Sequence, residues 1–320
     1  MGIFSKLLRA GKEARFMRQE GIEATERQNP RSVHVDRMTS LEIIHFINEE
    51  DHKVSRAVSK ETGRIARIAD QVSSSLQADG RVFYVGAGTS GRLGVLDATE
   101  VPPTFGVSAT RFQGIVAGGR GALRLSVEGA EDDEKSAERE LERIGFCKKD
   151  VLIGLSASGT TPFVLAAMRS AKKIGAKCFG ITCNPDHKMS RLAHEVVVLE
   201  VGPEVIAGSS RMKCGSAQKM VLNMISTASM IRIGRVWKGM MIGLQPKSKK
   251  LQRRAIRIVS ELGRVDHDTA KKTLEEARGN VRVAILSLRL AVSAKSAKKI
   301  IERTGKTQGS SSTRTISVRV

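Results

Sequence analysis

The sequence predicts an α/β protein in which helices flank a parallel sheet. From Arg81 onward, short apolar segments alternate with amphipathic helical stretches, as in chains where each strand is followed by a crossover helix. These segments are apolar along their whole length, which is typical of strands buried on both faces. Aromatic residues make up only 3% of the chain, so aliphatic side chains and Met must fill the core.

The predicted elements begin with a helical region at 40–78, for which Ser40 is the expected N-cap and Glu42 an early acidic residue. Five strands are expected after it, at 81–85, 112–117, 150–155, 177–182 and 195–200. Helices are expected between and after the strands, at 91–99, 132–145, 162–174 and 210–233.

The last part of the chain is predicted to be wholly helical after a basic linker at 245–250. Amphipathic patterns indicate helices at 253–262, 268–277, 280–290 and 296–303, with Gly263 and Gly279 as breaks. The expected division is an N-terminal extension (1–22), an α/β domain (23–250), a helical module (251–308) and a flexible low-complexity tail (309–320).

The chain carries a large excess of positive charge. The formal net charge is +21, and from Gln245 onward there are 19 Lys and Arg residues against six Asp and Glu. Such an excess can attract nucleic acid or an anionic surface without specificity. Base-stacking aromatics and nucleic-acid-binding motifs are lacking there, so a solvated basic surface is the favoured interpretation.

The sequence also indicates a cytoplasmic protein. No apolar run approaches the roughly 20 residues that span a bilayer, and residues 1–22 lack the apolar core of a signal peptide. The four cysteines are scattered, and Cys178 and Cys183 are expected to be buried thiols in a reducing compartment.

Two of the predicted strands end in loops rich in glycine and hydroxyl side chains. Arg81–Val85 leads into Gly86-Ala-Gly-Thr-Ser-Gly-Arg92, and Asp150–Leu155 leads into Ser156-Ala-Ser-Gly-Thr-Thr-Pro162. Glycine permits a tight turn, and a helix start exposes unpaired N–H groups that bind anions. Two such loops at the carboxyl edge of one sheet predict a site for a phosphorylated ligand.

Other interpretations of these loops are weaker. Gly86-x-Gly88-x-x-Gly91 matches the dinucleotide fingerprint, but the acidic residue expected about 20 positions later is missing. The second loop could simply cap a helix, which requires only one of its hydroxyls. No Gly-Lys-Ser/Thr of a P-loop follows the second loop and the six His are dispersed, so we expect neither a cofactor nor a metal.

Two carboxylates and a third polar cluster fall near the same edge of the predicted sheet. Glu100 is expected at a helix end just past the first loop, and Glu131 follows the second strand. Each alone is typical of a solvated surface, but as a pair beside a phosphate site they could act as general acid and base. Ser209, Ser210 and Lys213 stand at a helix start, where they either contact the ligand or only cap the helix.

Four segments resemble the N-acetylmuramic acid 6-phosphate etherases, a family built on the sugar isomerase (SIS) fold. The segments are 86–106, 127–132, 156–162 and 208–224, and the likeness extends from about Thr25 to about Gly305. The resemblance implies a three-layer SIS fold, a C-terminal three-helix module similar to ubiquitin-associated domains, and a homodimer with its sites near the subunit interface.

The resemblance also implies a cytoplasmic reaction of cell-wall sugar salvage: a carbon–oxygen lyase that cleaves the D-lactyl ether of N-acetylmuramic acid 6-phosphate without a cofactor. Glu131 would remove the C2 proton, and Glu100 would protonate the departing lactate and then activate water. The implied substrate-binding residues are Ser156, Ser158, Gly159 and Thr161 around the phosphate, Thr89, Ser90 and Gly91 on the sugar side, and Ser209, Ser210 and Lys213.

Two positions depart from the family pattern. Val101 stands where these etherases usually carry Cys, and Thr160 stands where they usually carry Arg. Losing a charged hydrogen bond to an anionic ligand would cost about 1–3 kcal/mol, so the substrate range stays open. Two alternatives also stay open: an aldose–ketose isomerase on the same fold, and a non-catalytic sugar-phosphate sensor, although such sensors are typically longer and carry two SIS domains.

Overall fold

The computed structural model describes residues 23–246 and 248–307, and the side chains of residues 304–307 are not described. The expected N-terminal extension (1–22) and most of the expected tail therefore lie outside the described residues. None of the helices within the described residues is long and apolar enough to cross a bilayer.

A five-stranded parallel sheet forms the centre of the fold, as predicted. Its strands are β1 (Val82–Gly86), β2 (Phe112–Val116), β3 (Val151–Leu155), β4 (Lys177–Thr182) and β5 (Glu195–Val198), in the order β2-β1-β3-β4-β5. β1 and β3 are buried at every position, because helices cover both faces of the sheet. Their ends differ from the predicted ones by one residue.

Six helices pack on the sheet in two layers. They are α1 (Ser40–Lys60), α2 (Thr62–Gln77), α3 (Gly88–Phe105), α4 (Glu134–Arg143), α5 (Pro162–Ile174) and α6 (Lys213–Arg232). Alternate strand side chains point to opposite faces: Tyr84 packs with α1, α2, α3 and α6, whereas Phe83 packs with α4 and α5. This confirms the three-layer α/β arrangement.

The N-terminal helical region differs from its prediction in two respects. The N-cap is Thr39 rather than Ser40: its hydroxyl accepts from the Glu42 N–H, while the Glu42 carboxylate accepts from the Thr39 N–H at 2.7 Å. This reciprocal capping box satisfies two backbone donors, whereas Ser40 is already helical. The single helix expected at 40–78 is also divided in two at Glu61.

α3 is longer than predicted, because it begins directly at Gly88 and continues through Pro102 and Pro103. It ends where Gly106 adopts a left-handed conformation (φ 65°) and donates its N–H to the carbonyl of Pro102. Gly106 packs directly against Gly243: a Cβ on Gly106 would collide with the backbone of Gly243, and a Cβ on Gly243 would collide with that of Phe105. The end of α3 is thereby fixed to the segment that leads into the C-terminal helices.

That segment contains a short hairpin that the sequence did not predict, with strands β6 (Val236–Trp237) and β7 (Met240–Met241). It is followed by α7 (Lys249–Gly263), α8 (His267–Glu276), α9 (Val281–Leu290) and α10 (Ala294–Thr307). These helices share an apolar core to which Ile242 and Leu244 of the preceding segment also belong, and they match the predicted helical positions to within a few residues. Their likeness to ubiquitin-associated domains and the domain boundaries stay predictions.

Candidate active site

The three loops that carry most of the predicted site residues leave the sheet side by side. Gly86 at the end of β1 pairs with Val116 of β2 on one side and with Leu155 of β3 on the other. Because all three strands are parallel, their following loops emerge at the same carboxyl edge. The strand order also reverses at β1, which opens a crevice between the loops of the kind that binds ligands in α/β proteins.

The first loop presses the start of α3 against the end of β1. A Cβ on Gly86 would lie 2.7 Å from the backbone nitrogen of Gly91, so the two elements approach more closely than side chains allow. Gly88 takes a left-handed conformation at the turn (φ 52°). As a result Ser90 is buried and Thr89 is half-buried at the mouth of the crevice.

The second loop gathers four hydroxyl groups at the start of α5, which we call the hydroxyl cluster (Ser156, Ser158, Thr160 and Thr161). The hydroxyl oxygen of Ser156 lies 2.7 Å from that of Thr161 and 3.3 Å from that of Ser158, and it accepts from the Gly159 N–H at 2.9 Å. Thr161 is the N-cap residue of α5, but its side chain makes no capping hydrogen bond. The hydroxyls therefore bond to one another and to the loop backbone, not to the helix end as simple capping would require.

Residues after β4 hold the loop of the hydroxyl cluster through hydrogen bonds to its backbone. Asn184 donates through its side-chain amide to the carbonyl of Ser158 at 3.0 Å, and the Lys188 N–H donates to the carbonyl of Gly159 at 3.1 Å. Gly159 has φ 70° and packs against His187, so a side chain would not fit there. Burial lowers the pKa of His187, and within the described part of the chain its buried Nδ1 has no hydrogen-bond partner. The sequence analysis did not single out His187.

The start of α6 brings the third polar cluster to the first loop. A Cβ on Gly215 would lie 3.4 Å from the Thr89 methyl and 3.7 Å from the carbonyl oxygen of Ser210, so these two residues border the same space. Ser209 and Ser210 are both half-buried on the segment just before α6. The structure thus places Thr89 and Ser210 together, as the predicted site requires.

Lys213 forms a buried ion pair with Glu50, a partner that the sequence pattern did not indicate. Its ammonium group donates to the Glu50 carboxylate at 2.6 Å and to the carbonyl of Pro203 at 2.7 Å, and both charged side chains are only 1% exposed. Although burial opposes ionisation, hydrogen bonds from Lys213 and Lys53 hold the pKa of Glu50 below its usual value. Lys213 therefore fastens α6 to α1, and its contact with substrate stays a prediction.

A second missed carboxylate caps α6. The Glu204 side chain accepts from the backbone N–H of Lys213 at 3.1 Å and from that of Cys214 at 2.9 Å. The first donors of α6 are thus already satisfied by the protein. Glu50 lies four residues after the buried Phe46 and four before the buried Val54, which puts it on the buried face of α1, but this spacing does not indicate its partner Lys213.

Glu131 lies at the carboxyl edge of the sheet, on a single 3₁₀ turn (Ala130–Asp132), and its side chain is exposed. The turn contacts α5, and a Cβ on Gly118, just beyond β2, would lie 3.2 Å from that of Ala130. Arg92 of α3 holds the preceding loop by donating to the carbonyls of Ala122 at 2.8 Å and Leu125 at 3.2 Å. These contacts position Glu131 on the same side of the sheet as the hydroxyl cluster.

Glu100 lies inside its helix and not at the helix end, where it was expected. It stands within α3, five residues before the helix ends, and it is exposed. It follows Ser90 by ten residues, which is about 15 Å along the axis of a helix that runs back from the carboxyl edge. Glu100 therefore lies well back along α3 from the carboxyl edge, where the turn that bears Glu131 lies.

Comparisons with known proteins identify the family. A model of the N-terminal SIS domain of glucokinase regulatory protein matches residues 64–172, and a model of the SIS domain matches residues 145–228. A phosphoheptose isomerase structure from Francisella tularensis is similar with a TM-score of 0.45, at 18% identity over 60% of this chain and 98% of that one.

Two relatives are much more similar in sequence. The N-acetylmuramic acid 6-phosphate etherase of Geobacillus thermodenitrificans (strain NG80-2) is 49% identical over 83% of this chain and 90% of its own length. That of Geobacillus sp. (strain WCH70) is 48% identical over 87% of this chain and 95% of its own length. The chain therefore belongs to the N-acetylmuramic acid 6-phosphate etherase family, and it is an enzyme of the carbon–oxygen lyase class.

Proposed function

We propose that the chain cleaves the D-lactyl ether of N-acetylmuramic acid 6-phosphate to give N-acetylglucosamine 6-phosphate and D-lactate. The observation that carries this proposal is the hydroxyl cluster at the start of α5, on the sheet edge where the turn bearing Glu131 also lies. Hydroxyl donors and the first N–H groups of a 13-residue helix suit a phosphate monoester that needs no metal to bind. The identity of the proposed substrate comes from the names of the relatives at 48–49% identity.

The reaction needs one base and one acid. In the ring-opened sugar the C1 aldehyde acidifies the C2 proton, which Glu131 removes as a C2–C3 double bond forms and the C3–oxygen bond breaks. Glu100 protonates the lactate oxygen as it departs. The carboxylate of Glu100 then takes a proton from water as the hydroxide adds at C3, and Glu131 returns the proton to C2.

The two acids meet in this scheme only if Glu100 comes from a second copy of the chain. Within one chain it lies about 15 Å along α3 from Ser90, measured on the helix axis. The face of α3 that carries Glu100 is open, and Leu96, one turn earlier, is 51% exposed. Met224 of the neighbouring α6 is also exposed. We therefore place Glu100 and this apolar surface at the interface of a homodimer whose two sites are each built from both chains.

The first experiment measures D-lactate released from N-acetylmuramic acid 6-phosphate. We expect turnover by the parent chain and a loss of about 10²–10⁴-fold in E131Q and in E100Q. E128Q is the matched control, because Glu128 is an exposed acid of the same loop whose carboxylate accepts a hydrogen bond from Ser126 at 3.4 Å. Near-parent lactate release by E131Q and E100Q would overturn the mechanism. A ketose phosphate as product would instead identify an isomerase, and binding without turnover would identify a sensor.

Mixing the two inactive variants tests the shared site. After subunit exchange, half of the dimers contain one copy of each variant, and one of their two sites has both carboxylates intact. About a quarter of the parent activity should return if the site is shared. No recovery despite confirmed exchange would show that both carboxylates act within one chain.

We also place this reaction in the cytoplasm, within the recycling of cell-wall sugars. The support is chemical: all four cysteines are free thiols, and three of them are buried, as in proteins of a reducing compartment.

A further inference from the structure

A cavity of about 450 Å³ lies between the α/β domain and the C-terminal helices, away from the hydroxyl cluster. Its walls come from four parts of the chain: the end of α3 at Gly106, the segment from Gly234 to Pro246, the α8–α9 connection around Gly279, and Ile301 of α10. This volume lies in the range of pockets that bind small molecules. The proposed etherase reaction makes no use of it.

The cavity is lined by arginine without acidic residues. Arg235, Arg278 and Arg282 face it, and none of the described lining residues is Asp or Glu. Arg235 and Arg282 are partly buried, and burial lowers the pKa of each guanidinium, with that of Arg235 lowered further by the charge of Arg282. Within residues 23–246 and 248–303, no carboxylate is paired with either of these two side chains.

Two neighbouring, partly buried arginines without a carboxylate partner are electrostatically unfavourable. A charged group taken out of water is ordinarily paired, and two neighbouring cations repel one another. Two other cations of this chain show the ordinary pairing: Lys213 pairs with Glu50, and Arg81 pairs with Asp150 at 2.7 Å. Arg111, which also repels Arg235, is itself paired with Asp79. Arg235 and Arg282 therefore stand out as cations whose counter-charge must come from outside the described chain.

We propose that this cavity binds a small dianion, held between the guanidinium groups of Arg235 and Arg282. The planar guanidinium binds phosphate and carboxylate oxygens through two parallel N–H donors, so a phosphate monoester and a dicarboxylate share the required chemistry. Because the cavity joins the end of α3 to the C-terminal helices, a bound dianion fixes these two parts of the chain against each other.

The chain contains a single tryptophan, Trp237, whose fluorescence can be used to detect binding in the cavity. Trp237 lies two residues after Arg235 and packs against the apolar core of the C-terminal helices. Titrations of the full-length protein would follow Trp237 fluorescence with inorganic phosphate, ribose 5-phosphate or succinate, each against sodium chloride at matched ionic strength. We expect a saturable Trp237 response that fits a single dianion bound in this cavity. The three arms identify whether phosphate or dicarboxylate chemistry is preferred.

Variants separate this site from the hydroxyl cluster and from general charge effects. R235Q and R282Q should each weaken dianion binding at least tenfold. The control R253Q removes an exposed arginine of α7 and should leave binding unchanged, as should S156A, which alters only the hydroxyl cluster. Thermal unfolding without anions provides the folding check, since loss of an unpaired cation should leave R235Q and R282Q at least as stable as the parent.

Two results would overturn the proposal. One is the absence of a saturable Trp237 response to all three dianions at millimolar concentration. The other is an affinity in folded R235Q and R282Q that equals that of the parent chain. Failure of lactate release would bear only on the etherase reaction, because the fluorescence titration does not depend on turnover.

Discussion

Removing Lys213 separates a structural role from a substrate-binding role. We expect Lys213→Met to leave the Glu50 carboxylate, 1% exposed, without its buried partner. Breaking a buried ion pair from one side costs about 3–5 kcal/mol of unfolding free energy. Glu50 retains Lys53 at 2.6 Å and Arg31 at 3.5 Å, so we expect the lower end of that range, about 3 kcal/mol.

Urea unfolding followed by circular dichroism measures this cost. The matched control is Lys219→Met, which removes an exposed lysine from the same helix and should change stability by less than about 0.5 kcal/mol. The double variant E50L/K213M replaces the pair by apolar side chains and should recover most of the lost stability, since such replacements are often neutral. A cost below about 1 kcal/mol for Lys213→Met would refute the reasoning, because it would mean that the pair is not desolvated.

The activity of the double variant then shows whether Lys213 contacts the substrate. If E50L/K213M is stable and releases lactate with an unchanged KM, Lys213 serves to hold α6 and does not touch the substrate. If it is stable but its KM rises tenfold or more, the predicted contact with substrate is real. Both outcomes are distinguishable only because the double variant removes the folding defect.

Four other expectations are open to direct measurement. Bonds from Arg81, outweighing burial, hold the pKa of Asp150 below its ordinary value, so its contribution to stability is complete at neutral pH and is lost as the pH falls below about 4; D150N should flatten that acid slope in urea unfolding. Thr39→Ala should cost about 1 kcal/mol and Ser40→Ala less than half of that, and the reverse order would contradict the observed cap. Gly159→Ala should raise KM for the sugar phosphate by displacing the loop against His187, a result checked in the lactate assay and excluded if KM stays at the parent value. Retention on a nucleic-acid column, if it occurs, should disappear at moderate salt, because the basic C-terminal quarter predicts only nonspecific attraction.

The parts of the fold that depend on local pattern were predictable. β1 and β3 are buried at every position and are followed by Gly, Ser and Thr, so their positions, to within one residue, and their loops followed from the local sequence pattern. The start of α5 was predictable for the same reason, since Pro162 occupies the first helical position.

The parts that depend on distant contacts were not predictable in this way. Glu50 stands in an acidic run that resembles a solvated surface, and its partner Lys213 is 163 residues away. The end of α3 was missed because a double proline usually marks a helix end, yet here Pro102 and Pro103 occupy the final turn. The strands of the β6–β7 hairpin have two residues each, too few for a periodic pattern to appear.

The contact between Gly106 and Gly243 determines how the chain can be divided. A truncation placed at the end of α6 would remove Gly243 and uncover the last turn of α3, where Phe105 is buried. The sheet domain so produced would expose a new apolar surface and would lose solubility, even though every strand remained. A cut within 247–248 would keep Gly243 with the sheet domain, but it would separate Ile242 and Leu244 from the core of the C-terminal helices, so neither cut divides the chain into two intact halves.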